Sequence, residues 1–381
     1  MNSRDRLLAA LNHKEGDRVP LDIGSSVVTG ITMTAYGNLI KYLGMYKKEP
    51  ELFDVVQQLA NPSEEFLQKF QVDVRNVSPN GPSTWALDIK NDGEYNYFFD
   101  EWKIKWRMPV KGGFYYDMAE HPLAGVLEVS EIENFAYPDA LDAKRYEGIR
   151  ERALAVREKG YGVVMSSIGA GLFEYGGWLR GYADFYADLA GEPDMACKVM
   201  DKTLEVKYKY WEKVLDIAGD IIDVVQEADD LGSQNSMLIS PSMYKEYVKP
   251  RQKELFDLIR SKTDAKIFVH TCGSFREVIP DLIEAGVNII NPVQFNAKGM
   301  DTQGLKRDFG KDIVFWGGGI DTQRILPRGT VEEVKECVKR QMEILAPGGG
   351  FVFNTVHNIQ ADVPPQNLVA MLEAFKEYAN Y

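Results

Sequence analysis

The chain has 381 residues, 45% of them hydrophobic and 27% charged, and a formal net charge of −13. This is the composition of a globular protein with a full core, and an acidic chain without a basic cluster is a poor partner for nucleic acid or for an anionic membrane. Near the N-terminus the longest apolar run is Leu7 to Leu11, no segment approaches the roughly 18 apolar residues of a membrane span, and the three cysteines are widely spaced. The expectation is a cytoplasmic protein without a signal peptide, a membrane segment or a disulfide framework.

In chain order, a helical lead-in is followed by eight short apolar runs: VPLDIG (19–24), QVDVRN (71–76), GVVMSS (162–167), IIDVVQE (221–227), KIFVH (266–270), VNIIN (287–291), DIVFW (312–316) and FVFN (351–354). Helix-period stretches separate them. Near-continuous apolar strands alternating with helices indicate a parallel sheet covered by helices, and eight such units predict a closed (β/α)8 TIM barrel occupying 1–381 as one domain. Helix-start signals agree: Ser274 with Glu277 and Thr330 with Glu333 have capping-box spacing, and Ser240 precedes Pro241. Gly160 is placed to end a helix over 143–159.

The interval between the second and third runs is too long for one barrel helix. Within it, residues 85–106 alternate apolar and polar on either side of Asn91-Asp92-Gly93, which predicts a β-rich insertion at about 80–140. Rooted after a strand, it could cover the barrel mouth and meet a partner, or form a homodimer contact.

A barrel of this kind carries its chemistry at the C-terminal ends of its strands. Those ends supply Asp22, Asn76, Ser166, Ser167, Glu227, His270, Cys272, Asn291, Gln294, Trp316 and Asn354, with His357 just beyond. Only four histidines occur, and two of them are in this set. In extended chain, residues i and i+2 point the same way, so His270 and Cys272 can meet one ion. Zinc takes imidazole nitrogen and thiolate, and a catalytic site keeps one position open beside three protein ligands. His357 is the natural third, and Glu227, ending the adjacent strand, a fourth ligand or a carboxylate behind the ligands. Against this stands the plainer account that Cys272 is a small buried hydrophobe.

Glu227, Asp229 and Asp230 crowd three carboxylates near the same rim, either as a solvated loop or as a site for acid–base catalysis by Glu227 or Asp229. Gly317, Gly318 and Gly319 follow the seventh strand, where barrels often bind a phosphate-bearing cofactor; equally, glycines there let any bulky ligand approach the backbone. GAGLFEYGG (169–177) places Glu174 at the third glycine position of a dinucleotide loop and so fails that fingerprint.

The stretches 229–251, FVHTCGSFREVIPDLIEAGVNIINPVQ (268–294), FWGGGIDTQRILPRGTVEEV (315–334) and APGGGFVFNTVHNIQADVPPQN (346–367) resemble the uroporphyrinogen decarboxylase superfamily, and within it the zinc-dependent, corrinoid-linked methyltransferase branch. The resemblance implies zinc on His270 and Cys272, with His357 where the branch commonly has Cys. It further implies methyl transfer between a small-molecule methyl donor or acceptor, such as a methoxylated aromatic or a methylamine, and a corrinoid carried by a separate corrinoid-binding protein. The chain has no D-x-H-x-x-G corrinoid motif of its own. The superfamily's decarboxylase grips substrate carboxylates with an N-terminal arginine-rich loop; here 16–26 holds a single arginine, Arg18, so decarboxylation is the alternative, and a non-catalytic binding protein the second alternative.

Overall fold

The computed structural model describes residues 1–381. Seven parallel strands lie side by side in chain order: Val74–Val77, Gly162–Ser166, Val224–Ala228, Lys266–His270, Ile289–Asn291, Val314–Trp316 and Phe351–Val352. Each is buried on both faces, as continuous apolar sequence requires of a sheet sandwiched between side-chain core and helices.

The segment 20–22 supplies the remaining stave. Leu21 bridges Phe353 in parallel, Asp22 N–H donates to Phe353 O and Phe353 N–H to Pro20 O, each at 2.9 Å, and Asp73 N–H donates to Leu21 O at 2.9 Å. The first run thereby joins the last strand to the second, and the eight expected strands form a TIM-barrel-like fold. At the N-terminal end of the staves the buried Asp73 carboxylate draws Arg6, Arg18 and the Leu21 N–H together, at 2.6 to 3.1 Å.

Local signals mostly hold. Thr330 and Glu333 form the capping box of helix Val331–Leu345; Ser240 caps the helical turn that begins at Pro241; Gly160, with φ +79°, follows helix Ile149–Glu158. The expected helix over 143–159 is broken at Gly148 into a 3-10 turn, Ala143–Tyr146, and that helix. Ser274 caps nothing. Its hydroxyl donates instead to Lys298 O at 2.7 Å, because a 3-10 turn, Arg276–Val278, comes before helix Ile279–Ala285 and moves the helix start downstream.

Two extensions stand on the mouth side. The insertion is a four-stranded antiparallel sheet, Lys90–Asn91, Tyr95–Phe99, Lys105–Pro109 and Asp117–Glu120, and its first turn closes as Asp92 Oδ1 accepts from Glu94 and Tyr95 N–H. After the third barrel strand come two short helices, Leu172–Arg180 and Tyr182–Gly191, bent at Gly181 (φ +83°). The sheet packs on the first of them: Trp102 stacks on Tyr175 with centroids 4.0 Å apart, and Trp106 meets Trp178 edge-on at 5.3 Å. Aromatic pairs of this geometry add stabilisation beyond their buried area, so the insertion is anchored to the rim rather than tethered loosely. A hairpin, Glu51–Asp54 with Leu59–Asn61, was not anticipated; its strands are too short to show a period.

Candidate metal centre

Parity along the strands decides which residues face the barrel interior. Gln226 is in register with Ser166 and with Phe268, and His270 with Asn291; residues in register share a face. Phe268 packs edge-on against Trp316 at 5.4 Å, and Trp316 Nε1 donates to Asp22 Oδ2 at 2.9 Å. Asn76 Nδ2 donates to Ser166 Oγ at 2.7 Å, and Asn354 Nδ2 to Asp22 O at 2.9 Å. Asp22, Asn76, Ser166, Gln226, His270, Asn291, Trp316 and Asn354 therefore form an inward ring at the mouth, one from each stave. No lysine or arginine is among them.

At His270 of this ring the structure adds Cys272 and His357 from just beyond the strand ends, the donor atoms of the three all within 4.8 Å of one another. His270 Nε2 and Cys272 Sγ are 3.3 Å apart, close to the roughly 3.5 Å expected for nitrogen and sulfur on a tetrahedral zinc with bonds of about 2.0 and 2.3 Å. Asn291 sets the tautomer. Its Nδ2 donates to Trp316 O at 2.8 Å, which turns Oδ1 toward His270 Nδ1 at 2.6 Å. Nδ1 must then carry the proton, leaving the Nε2 lone pair facing Cys272. Burial lowers the His270 imidazole below its ordinary value and takes His357 down to about 3, with His270 adding to the effect. Both rings are held neutral, which is the ligand form. Burial, and next Asp230, raise the Cys272 thiol; a cation at this point would reverse that. The donor set fits zinc.

Two acidic groups border the cluster. Asp230 Oδ1 accepts from Cys272 N–H at 2.7 Å and lies 3.8 Å from His270 Nε2. Glu174, partly exposed at the rim, has its carboxyl held well above the usual range by burial and then by Asp230 and Asp229. Neither is marked as a metal-site residue by its place in the sequence, where Asp230 is legible only as one of three crowded carboxylates.

The other expected site residues are placed elsewhere. Glu227 is in register with Val269, so it points away from the interior, into the helix layer. There it is paired with Lys207 Nζ at 2.9 Å and accepts from Ser167 Oγ at 2.7 Å and from Trp211 Nε1. It is neither a ligand nor beside one, because one residue of parity separates it from the inward Gln226. Asp229 is also structural: its carboxylate accepts from Glu174 N–H at 2.9 Å and Gln252 Nε2 at 2.8 Å, capping helix Leu172–Arg180 from a neighbouring loop. Burial raises it to about 7; the tie to the cluster is through the backbone, its N–H donating to His270 O at 2.7 Å. Close packing by itself accounts for the glycines of 317–319. A Cβ would meet Thr355 O at 2.9 Å from Gly317, Val293 Cβ at 2.7 Å from Gly318, and the Phe353 ring from Gly319. Of the remaining histidines, His121 Nδ1 bonds to Trp178 O at 2.7 Å and His13 Nδ1 to Gly310 O at 3.2 Å.

No helix is long and apolar enough to cross a membrane. Among known proteins, a uroporphyrinogen decarboxylase of Geobacter sulfurreducens is 25% identical over 265 residues, covering 67% of this chain and 71% of that protein. The Chlorobium limicola uroporphyrinogen decarboxylase is 26% identical over 215 residues, 54% of this chain and 56% of its own length. A solved methyltransferase from Methanosarcina mazei superposes over 99% of both chains with a TM-score of 0.65 at 17% identity, a likeness of fold. The family model described as Uroporphyrinogen decarboxylase (URO-D) matches residues 126–378, from the far side of the insertion through the last helix, and the chain belongs to that family.

Proposed function

We propose that the protein is a zinc-dependent methyltransferase that moves a methyl group between a small methylated substrate and the corrinoid cofactor of a separate protein. The observation that carries this reading is the convergence of His270 Nε2, Cys272 Sγ and the His357 ring at the mouth, with Asn291 holding the His270 tautomer. Bound there, zinc would supply Lewis acidity, polarising the heteroatom that bears a methyl group or holding an acceptor thiol as thiolate. Cys272 and His357 are only partly buried, which leaves a substrate room to approach. Tyr182 on the short helix beyond Glu174 is 40% exposed, and together with the insertion sheet it offers a rim on which a corrinoid protein could dock.

The curated relatives favour a second reading, decarboxylation of a porphyrinogen. A substrate bearing many carboxylates needs cations, and the inward ring has none. Residues 20–30 carry no arginine or lysine, and Arg18 is spent on Asp73 at the opposite end of the barrel. The test is elemental analysis combined with methyl transfer to free cob(I)alamin. The methyltransferase should hold about one zinc per chain, lose it in Cys272→Ser and His357→Ala, and turn over a methylated substrate. Full zinc retention in both variants, or metal-independent turnover of uroporphyrinogen, would refute the reading; turnover of neither substrate would point to a binding protein.

A further inference from the structure

We infer that Asp230 is a fourth, displaceable ligand of the metal held by His270, Cys272 and His357. The inference rests on the zinc reading above and goes beyond it by assigning the position that a substrate heteroatom would take. Asp230 Oδ1 is anchored by the Cys272 N–H at 2.7 Å, so the carboxylate is fixed relative to one ligand by that ligand's own backbone. The same oxygen is 3.8 Å from His270 Nε2. Because Asn291 takes the Nδ1 proton, Nε2 presents a lone pair to that oxygen, not a hydrogen. Two acceptors facing each other at this distance, with Sγ 3.3 Å from Nε2, form an arrangement that a cation satisfies. Two light ligand atoms on a tetrahedral zinc sit about 3.3 Å apart, so the Asp230 oxygen has to close by about 0.5 Å on Nε2, and further on the rest of the cluster, to enter the shell.

Charge points the same way. A divalent ion with one thiolate and two neutral imidazoles leaves a net +1 in a largely desolvated pocket, which is costly unless paired. One carboxylate makes the centre neutral. Among side chains at the strand ends, Asp230 is the carboxylate that contacts a ligand: Glu227 is bound to Lys207 behind the sheet, Asp229 caps a helix, and Asp22 is taken by Ser25 and Trp316. Asp230 is also 37% exposed in its side chain, so breaking its one hydrogen bond to the Cys272 N–H lets it turn to solvent when a substrate heteroatom arrives, whereas His270 is buried.

The test uses the full-length protein, stripped with chelator and titrated with zinc or cobalt(II) alone. Asp230→Asn retains an oxygen that accepts the Cys272 N–H but is a poor ligand; Asp230→Ala removes both roles. If Asp230 binds the ion, Asp230→Asn should lose about tenfold or more in zinc affinity. Its cobalt(II) form should show an altered d–d spectrum, and zinc X-ray absorption should lose one light-atom scatterer relative to wild type. If Asp230→Asn binds zinc as wild type does with an unchanged cobalt spectrum, while Asp230→Ala is weakened, the residue only anchors the backbone and the inference is overturned. Cys272→Ser separates this from the larger reading: zinc retention there defeats the metal centre itself, whereas zinc loss there with a wild-type Asp230→Asn defeats only the fourth ligand.

Discussion

Glu227→Gln separates a residue that holds the barrel together from one that holds a metal. Lys207 is fully buried, and its ammonium has three partners: Glu227 Oε2 at 2.9 Å, Ser167 Oγ at 2.8 Å and Ala170 O at 2.7 Å. Glu227 is 3% exposed in its side chain and collects Lys207, Ser167 and Trp211 with its two oxygens. An amide in its place removes the counter-charge and sets its NH2 against either the Lys207 ammonium or the Trp211 N–H, donor against donor. Breaking a buried pair from one side costs about 3–5 kcal/mol. With an unfolding entropy of about 2.1 cal/mol/K per residue, hence about 0.8 kcal/mol/K for this chain, the expected fall in Tm is about 4–6 °C. The assay is thermal unfolding at neutral pH with zinc content measured on the same preparation. Zinc should stay at the wild-type level, and the double variant Lys207→Met with Glu227→Gln should recover much of the loss, since no unpaired charge remains. A Glu227→Gln protein that loses zinc while its Tm stays within about a degree of wild type would refute the assignment.

Asn291→Ala frees the His270 tautomer and should weaken zinc binding about 10- to 100-fold, read by chelator competition; Asn291→Asp, which keeps an acceptor, should stay near wild type, and equal affinity in all three would show that the hydrogen bond is incidental. Burial raises Asp22 to about 6 in the folded protein, against about 3.9 unfolded. The folded state then binds the extra proton, and this stabilisation is complete below about pH 4 and lost as pH rises through 6. The stability difference between Asp22→Asn and wild type should therefore move in the variant's favour by up to about 3 kcal/mol from pH 4 to pH 7; a difference flat across that range contradicts the buried carboxyl.

How much was legible depended on whether the determinant was local. Eight apolar runs, each bounded by turn and cap signals, were readable because a strand buried on both faces must be continuously apolar. His270 and Cys272 were readable as a pair because two positions along extended chain share a direction in any register. The insertion announced itself through period-2 alternation around a Gly-containing turn. What sequence alone could not supply was parity. A doubly buried strand has no polar face to mark inside from outside, so at the end of the fourth strand nothing local distinguishes Gln226, which points inward, from Glu227, which points at Lys207. Only the register against the neighbouring strands resolves it. The same holds for contacts across the chain: the close packing around 317–319, the capping of a distant helix by Asp229, and the approach of Asp230 to His270 each join segments tens of residues apart. Composition and spacing named candidate residues for the mouth; the closure of the barrel decided which side chains reach it.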